Sequence, residues 1–458
     1  MSAEIAALSR RVVAAYEAAT PASRAFFERA RAVLPGGVSG NLRHFKPYPL
    51  YTRAAAGAQI TDLDGRDVLD CFLCNGPMLL GHRDARIEEA IAQAQGFGSL
   101  ALNPALLVDC AERVCAMSPC AEQVRFLNSG TEAVLAALRI SRAYTRRSRV
   151  LKFFGHYHGQ GDQMLVGAGP SRIPLGAGVS SSALQDTVTA SYGDLEAVQC
   201  VLAKGDIAAV ILDPAMHSGG LWGSSRAFLT ALREAATAAG SVLIFDEVIT
   251  GFRLAPGGAQ EVFGVTPDLV TYAKALGAGE KIAAVAGRAD IMSVVDPLDP
   301  DTQRRAFQSG TGNDGSRALA AAAAAMSVYG ELGQAGAYLA LEGRASRLAL
   351  GLREAFLRHG ASCHVNHIGS MLQLFLSSEK PSFARYSALD QTLIDLFYLA
   401  LISRGVMLSL PTSNHIYLSF CHKDSDIDRI LSVSDEVLDH FDFSAAFAAA
   451  NATENGYD

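Results

Sequence analysis

From about residue 84 the chain alternates apolar segments with helical ones: "VRFLNSG", a helix from Thr131, "VLKFF", a loop, "IAAVILDP", a helix near 224–239, then "SVLIFDE". A strand that is apolar throughout must be covered on both faces, and strands separated by helices pair in parallel. The pattern therefore demands an α/β chain with a parallel or mostly parallel sheet clothed by helices. Such sheets bind ligands at the carboxyl ends of their strands. Asp246 and Glu247 stand at one such end, closing the run "VLIF".

A chain of 458 residues exceeds one simple core, so a second, smaller domain is expected. The N-terminal part opens with two amphipathic helices, continues through the glycine-rich "PGGVSGNLRHF", and reaches a hairpin turn at Asp64-Gly65 between alternating apolar residues. Toward the C-terminus, helical spacing dominates 315–360, after which short strands ("MLQLFL", "GVMLSL", "HIYLSF") mix with helices near 387–404 and 424–441. The expected organisation is a large domain over 76–325 and a smaller α+β domain built from 1–75 and 326–458.

Several function classes are disfavoured. The net charge of -7 and the lack of any Lys/Arg-rich tract argue against nucleic acid as a partner. The longest apolar stretch, "ALAAAAAAM" at 318–326, is far short of a membrane span. Charges interrupt the apolar N-terminal stretch, so it does not read as a targeting peptide, and a cytoplasmic location is the expectation. The eight cysteines are scattered. The single CxxC, "CFLC", lacks a second ligand pair, and His156 and His158 lack a third ligand at a recognisable spacing, so no metal is expected.

Three motifs carry possible chemistry. In "FLNSGTEA" a strand ends in Ser129, Gly130 and Thr131 where a helix begins. Free N–H groups, hydroxyls and the helix dipole suit a phosphate there, although "SGTE" is also a capping box. In "FFGHYHGQGD", Tyr157 lies between glycines and two histidines, placed to cover the face of a flat ligand. In "TYAKALGAGEK", Lys274 follows an apolar strand; a half-buried lysine must lower its pKa or find a partner, and Lys281 is its rival. One ligand fits all three: a planar, phosphorylated aromatic aldehyde able to condense with a lysine, which is pyridoxal phosphate. That cofactor withdraws electrons when its ring nitrogen is held protonated by a carboxylate, the task assigned to Asp246. Glu247, next along the strand, points the other way and is given a structural role.

The ordered set "NSGTEA", "GHYHG", "FDEVITGFR", "AKALGAG" and "FQSGT" resembles the class III aminotransferase family of pyridoxal phosphate enzymes, of fold type I. The similarity runs from about "PGGVSG" to the C-terminal helix. "NGPMLLGH" and "PGGVSGNLRHF" bring the chain near the glutamate-1-semialdehyde 2,1-aminomutase branch, and "HIGSMLQLFL" with "GVMLSL…IYLSF" near the β-amino-acid aminotransferases. The resemblance implies that Lys274 carries the cofactor and shuttles the proton, that Asp246 pairs with its ring nitrogen, and that Val248 and Tyr157 pack on opposite ring faces. It implies that Ser129, Gly130 and Thr131 bind the phosphate with Thr311 from a second subunit, in a homodimer with shared active sites. Arg43 falls where the aminomutase binds the substrate carboxylate, a task that suits a planar guanidinium.

The departures point to a specialised substrate. Asp213-Pro214 replaces the usual Glu-Pro, and Ala215, Met216, His217 and Ser218 replace "VAGN", leaving His217 or Ser218 to serve the O3′ side of the cofactor. "GAGEKIAA" replaces "GGGMPVGA", which places Glu280 and Lys281 near the catalytic lysine in sequence, and "NDGSR" replaces "SGNP" after Thr311. A gapless match back from "LSFCH" puts Asn414 at the position of the aminomutase's gating glutamate, within the substrate site, so that Arg43 lacks a switchable partner. The expected activity is amino transfer between a small-molecule amino donor and acceptor. An aminomutase or epimerase on the same scaffold is the alternative, followed by an inactive binding protein.

Overall fold

The computed structural model describes residues 2–98, 102–377 and 389–454. The chain divides into two compact units, residues 85–338 and residues 1–84 with 339–458.

In the second-named unit the helix Ala3–Ala19 buries Ile5, Leu8, Val12 and Tyr16, the three- and four-residue spacing of one helical face. It packs on the helix Thr392–Ser403, which is apolar almost all round and correspondingly buried. Strands β1 (Thr52–Ala56), β2 (Gln59–Asp62) and β3 (Asp67–Asp70) form an antiparallel meander. The β2–β3 turn has Gly65 at φ +84°, so the Asp64-Gly65 hairpin forms as expected. The larger unit supplies β4 (Gln123–Leu127) through β10, and the C-terminal segment adds β11 (Cys363–Ile368), β12 (Met371–Leu376), β13 (Val406–Met407) and β14 (Ile416–Tyr417). β13 pairs in parallel with β3, which joins the two ends of the chain into one sheet.

The unit 85–338 is built on a seven-stranded sheet in the order β4-β10-β9-β8-β7-β5-β6, with β5 at Arg149–Phe153, β6 at Thr187–Ala190, β7 at Ile207–Leu212, β8 at Val242–Asp246, β9 at Leu269–Tyr272 and β10 at Ala283–Gly287. β9, β8, β7, β5 and β6 are mutually parallel, and β10 runs against both its neighbours. The mostly parallel sheet inferred from the apolar runs is therefore present, and every residue of β7 and β8 is buried. On one face Val150, Ala209, Ile211, Val242, Ile244 and Leu269 pack against Ala133, Val134, Ala137 and Ile140 of the helix Gly130–Thr145. At roughly 1.5–3 kcal/mol for each large apolar side chain removed from water, this layer holds the strand ends in fixed register. No described helix is long and apolar enough to cross a membrane.

Candidate active site

The chemistry-bearing residues of the unit 85–338 gather where its parallel strands end. After β4, Ser129 caps the helix Gly130–Thr145: its Oγ accepts from the Glu132 N–H at 3.3 Å, and the Glu132 carboxylate accepts from the Asn128 N–H at 2.8 Å. Ser129 thus caps the helix, but Glu132 reaches the N–H of Asn128 and not that of Ser129, so the reciprocal box expected from "SGTE" does not close, and the cap does not use up the helix terminus. The first intrahelical bond runs from the Ala133 N–H to the Ser129 carbonyl, so the N–H groups of Gly130 and Thr131 lie ahead of the ladder. Gly130 permits a close approach, since a Cβ there would meet both methyls of Val248 at 3.0 Å. Gly159, at φ +91°, lies against Thr131, whose Oγ1 accepts from the Gln160 N–H at 3.3 Å. Thr311 is exposed in the turn that is tied to Asn128, whose Nδ2 donates to Asn313 Oδ1 at 2.8 Å.

Asp246 closes β8 almost wholly buried. Its Oδ2 lies 2.7 Å from His158 Nδ1, and its Oδ1 accepts from the Thr271 hydroxyl at 3.2 Å and the Val248 N–H at 3.1 Å. Thr271 faces it because β8 and β9 pair Asp246 with Thr271 directly. Glu247 turns to other partners: its carboxylate accepts from Thr250 Oγ1, the Ala259 and Gln260 N–H groups and the Gln260 amide, all between 2.5 and 3.2 Å. That set fastens the start of the helix Gly258–Phe263 to the end of β8, a structural task.

Lys274 follows β9 at φ +43° and is half-buried. Burial pushes its amine down to about 8, against the opposing pull of Asp246 and with Arg253 adding to the depression. A substantial neutral fraction near physiological pH makes it a nucleophile. Lys281, by contrast, is exposed. Asp213 ends β7, buried, its carboxylate accepting from the N–H groups of Ala215 at 2.9 Å and His217 at 2.8 Å. Desolvation nevertheless raises it to about 7, with Asp246 adding in the same direction.

Tyr157 is 41% exposed between two buried histidines. Burial raises its phenol, and the charge of Asp246 reinforces the shift. His156 Nδ1 accepts the Asp213 N–H at 3.1 Å, which places the proton of its neutral ring on Nε2. His158 Nδ1 faces a carboxylate and so carries a proton. Burial lowers the pKa of both rings, and among the described residues neither Nε2 has a hydrogen-bond partner. The His158 and Thr271 contacts to Asp246 escaped the sequence reading. A histidine 88 positions away offers no local signal, although the "LVTYAK" alternation would have put Thr271 on the same face as Asp246 once β8 and β9 were paired.

Arg43 and Asn414 belong to the other unit. Arg43 is exposed in the turn Asn41–Arg43 and donates to Ser39 Oγ at 3.1 Å. Asn414 is buried at φ +53°; its Nδ2 donates to the Leu374 carbonyl at 2.8 Å, and its Oδ1 accepts from the Leu374 N–H at 3.3 Å and from the Tyr398 hydroxyl. Both ends of the amide that was expected at the substrate are therefore engaged with β12 and Tyr398.

Comparison with known proteins matches residues 43–371 to the family described as "Aminotransferase class-III". A glutamate-1-semialdehyde 2,1-aminomutase of Akkermansia muciniphila is 38% identical over 419 residues, covering 89% of this chain and 96% of the relative. Among solved structures, an omega-transaminase from Sphaerobacter thermophilus is 32% identical with a TM-score of 0.84, covering 92% of this chain and 98% of its own. Another, described as a transaminase with PLP bound, is 30% identical with a TM-score of 0.84, covering 94% and 99%.

Proposed function

The chain belongs to the class-III aminotransferase family, whose members are pyridoxal phosphate enzymes of fold type I, and from that premise we propose that it moves an amino group between a carboxylate-bearing amino acid or amine and a keto acid or aldehyde. The residues present fit the cofactor. Gly130 lets Val248 pack against the helix start, the Gly130 and Thr131 N–H groups are not used by the helix, and a buried carboxylate and a depressed lysine are coupled to each other. Ser129, Gly130 and Thr131 would hold the phosphate, Val248 and Tyr157 the ring faces, Asp246 the ring nitrogen, and Lys274 the aldehyde carbon. When bound, the cofactor supplies an electron sink for bonds at the substrate's α-carbon.

The chain's own part in the reaction follows from its geometry. The Asp246 carboxylate is oriented by Thr271 Oγ1 and the Val248 N–H, which would direct it to a protonated ring nitrogen. Lys274, with an amine near neutrality, both binds and returns a proton at its Nζ. Burial of His158 beside Asp246 excludes water that would screen that charge. By the family resemblance alone, Arg43 is proposed for the substrate carboxylate.

The observation that favours transfer over internal rearrangement is Asn414. The gapless match sets it against the aminomutase's gating carboxylate, but it is neutral and its amide is occupied by Leu374 and Tyr398. We assign it a clamp on β12 and no part in switching Arg43. Kinship with the aminomutase at 38% identity supports the second reading, amino transfer within one substrate. A homodimer with Thr311 donated across the interface accords with the exposed Val108 and Phe307 and with a cleft of about 690 Å³ lined by Val108, Arg125 and Asn313.

The test is to mix the cofactor-loaded protein with single amino donors and no acceptor. Transfer predicts conversion of the cofactor to its amine form, seen by absorbance and mass, with release of one equivalent of ketone or aldehyde. A substrate returned as its own isomer, with no ketone and no accumulation of the amine form, would favour the aminomutase reading instead.

A further inference from the structure

Lys152 occupies an unusual place in β5. The pairs Leu151–Val210 and Ile211–Ile244 put it in the row of Ile211 and Ile244, one pleat before Asp246 on the same face of the sheet. That face is otherwise apolar here, packed under the helix Gly130–Thr145. Lys152 has no exposed surface, and its Nζ donates to the Met164 carbonyl at 2.6 Å. Among the described residues no carboxylate contacts it, whereas a fully buried lysine is ordinarily paired.

The charges it faces are those of the site's carboxylate–imidazole pair. Asp246 stabilises the Lys152 ammonium, and that ammonium in turn disfavours positive charge on both His156 and His158. Asp213 and Lys274 act on the same Asp246 from the ends of β7 and β9. A second proton on His158 would sit on Nε2, which is buried and has no acceptor. A cation beneath the pair works in the same sense: it lowers the energy of the Asp246 carboxylate and raises that of the imidazolium.

We propose that Lys152 is a positioning residue whose buried ammonium holds the His158–Asp246 pair as neutral imidazole and carboxylate, so that the carboxylate's charge is left for the ring nitrogen of the bound cofactor. What the pair is for rests on the proposed function; the coupling is a property of the chain. The sign of the pH dependence follows. Burial brings the Lys152 amine down to about 7, so the bias is present below that pH and fades as the amine loses its proton above it.

The experiment is histidine-selective 15N NMR on protein freed of cofactor, comparing wild type, Lys152→Met and Lys152→Arg across pH. The His158 pKa should rise in Lys152→Met and stay near wild type in Lys152→Arg. An unchanged His158 titration in Lys152→Met overturns the proposal. If that variant does not fold, the wild type decides: the His158 signals should show a second inflection from the loss of the Lys152 proton, and a single inflection overturns it. In the loaded protein, Lys152→Met should also shift the pH dependence of the cofactor's visible absorbance. A protein that shows the His158 coupling but takes up no pyridoxal phosphate refutes the functional reading and leaves this one standing.

Discussion

Replacing Gly159 by alanine isolates how closely the loop after β5 is fitted to the first turn of the helix Gly130–Thr145, and a second glycine serves as its control. At Gly159 the backbone lies at φ +91°, and an added Cβ would approach Thr131 Oγ1 at 2.6 Å, its Cα at 2.9 Å and its Cβ at 3.0 Å. At Gly193 φ is +85°, but nothing lies within 4 Å of an added Cβ. Left-handed backbone costs an L-residue about 1–2 kcal/mol, and the loss of unfolded-state freedom returns about 0.4–1 kcal/mol. Gly193→Ala should therefore destabilise by between about zero and 1.6 kcal/mol. Gly159→Ala carries the same terms plus a clash with a backbone atom that cannot rotate away, worth about 1–3 kcal/mol. Urea unfolding of both variants should thus separate them by about 1–3 kcal/mol. Because the clash displaces the Thr131 hydroxyl and N–H, cofactor affinity should also fall by about tenfold to a hundredfold in Gly159→Ala, the worth of one charge-assisted hydrogen bond. Two variants of equal stability, with equal cofactor affinity, would refute the reasoning.

Asp246→Asn should retain the cofactor, whose phosphate site is untouched, while turnover drops about a hundredfold or more because a preorganised charge is gone; near-normal single-turnover rates would contradict the role. The rate at which cofactor-free protein takes up pyridoxal phosphate should fall about tenfold for each pH unit below about 8, where the Lys274 amine becomes protonated, and level off above. Borohydride treatment should fix the cofactor to Lys274, and recovery of the label on Lys281 would transfer the assignment. Glu247→Ala leaves four buried donors without their acceptor, so an unfolding free energy lower by about 3–5 kcal/mol is expected; a loss under about 1 kcal/mol would show that water replaces the carboxylate there.

The residues proposed for the site stand out in the sequence because their signals are local. An acid at the end of an apolar run, glycines and hydroxyls at a strand-to-helix junction, and a lysine just past a strand each declare themselves within a few residues. A helix cap and an anion site were rival readings of "SGTE"; Ser129 does cap the helix by accepting from the Glu132 N–H, and that bond leaves the Gly130 and Thr131 N–H groups unused by the cap. Asn414 was harder. Its place in the sequence suggested a substrate contact, but its conformation and its pairing with Leu374 arise from a strand 40 residues earlier.

What the sequence determined by itself is periodicity: which segments are strands buried on both faces, which are amphipathic helices, and hence the mostly parallel sheet with its ligand-binding edge. What the tertiary structure decided is partnership across strands. His158 against Asp246, Thr271 beside it, Lys152 one pleat below and the donors around Glu247 all depend on strand order and register, which bring together residues with no sequence relation to one another. Burial is a property of a residue's own pattern, but the charge it must carry, and whether that charge is tolerated, depends on neighbours that exist once the sheet has closed.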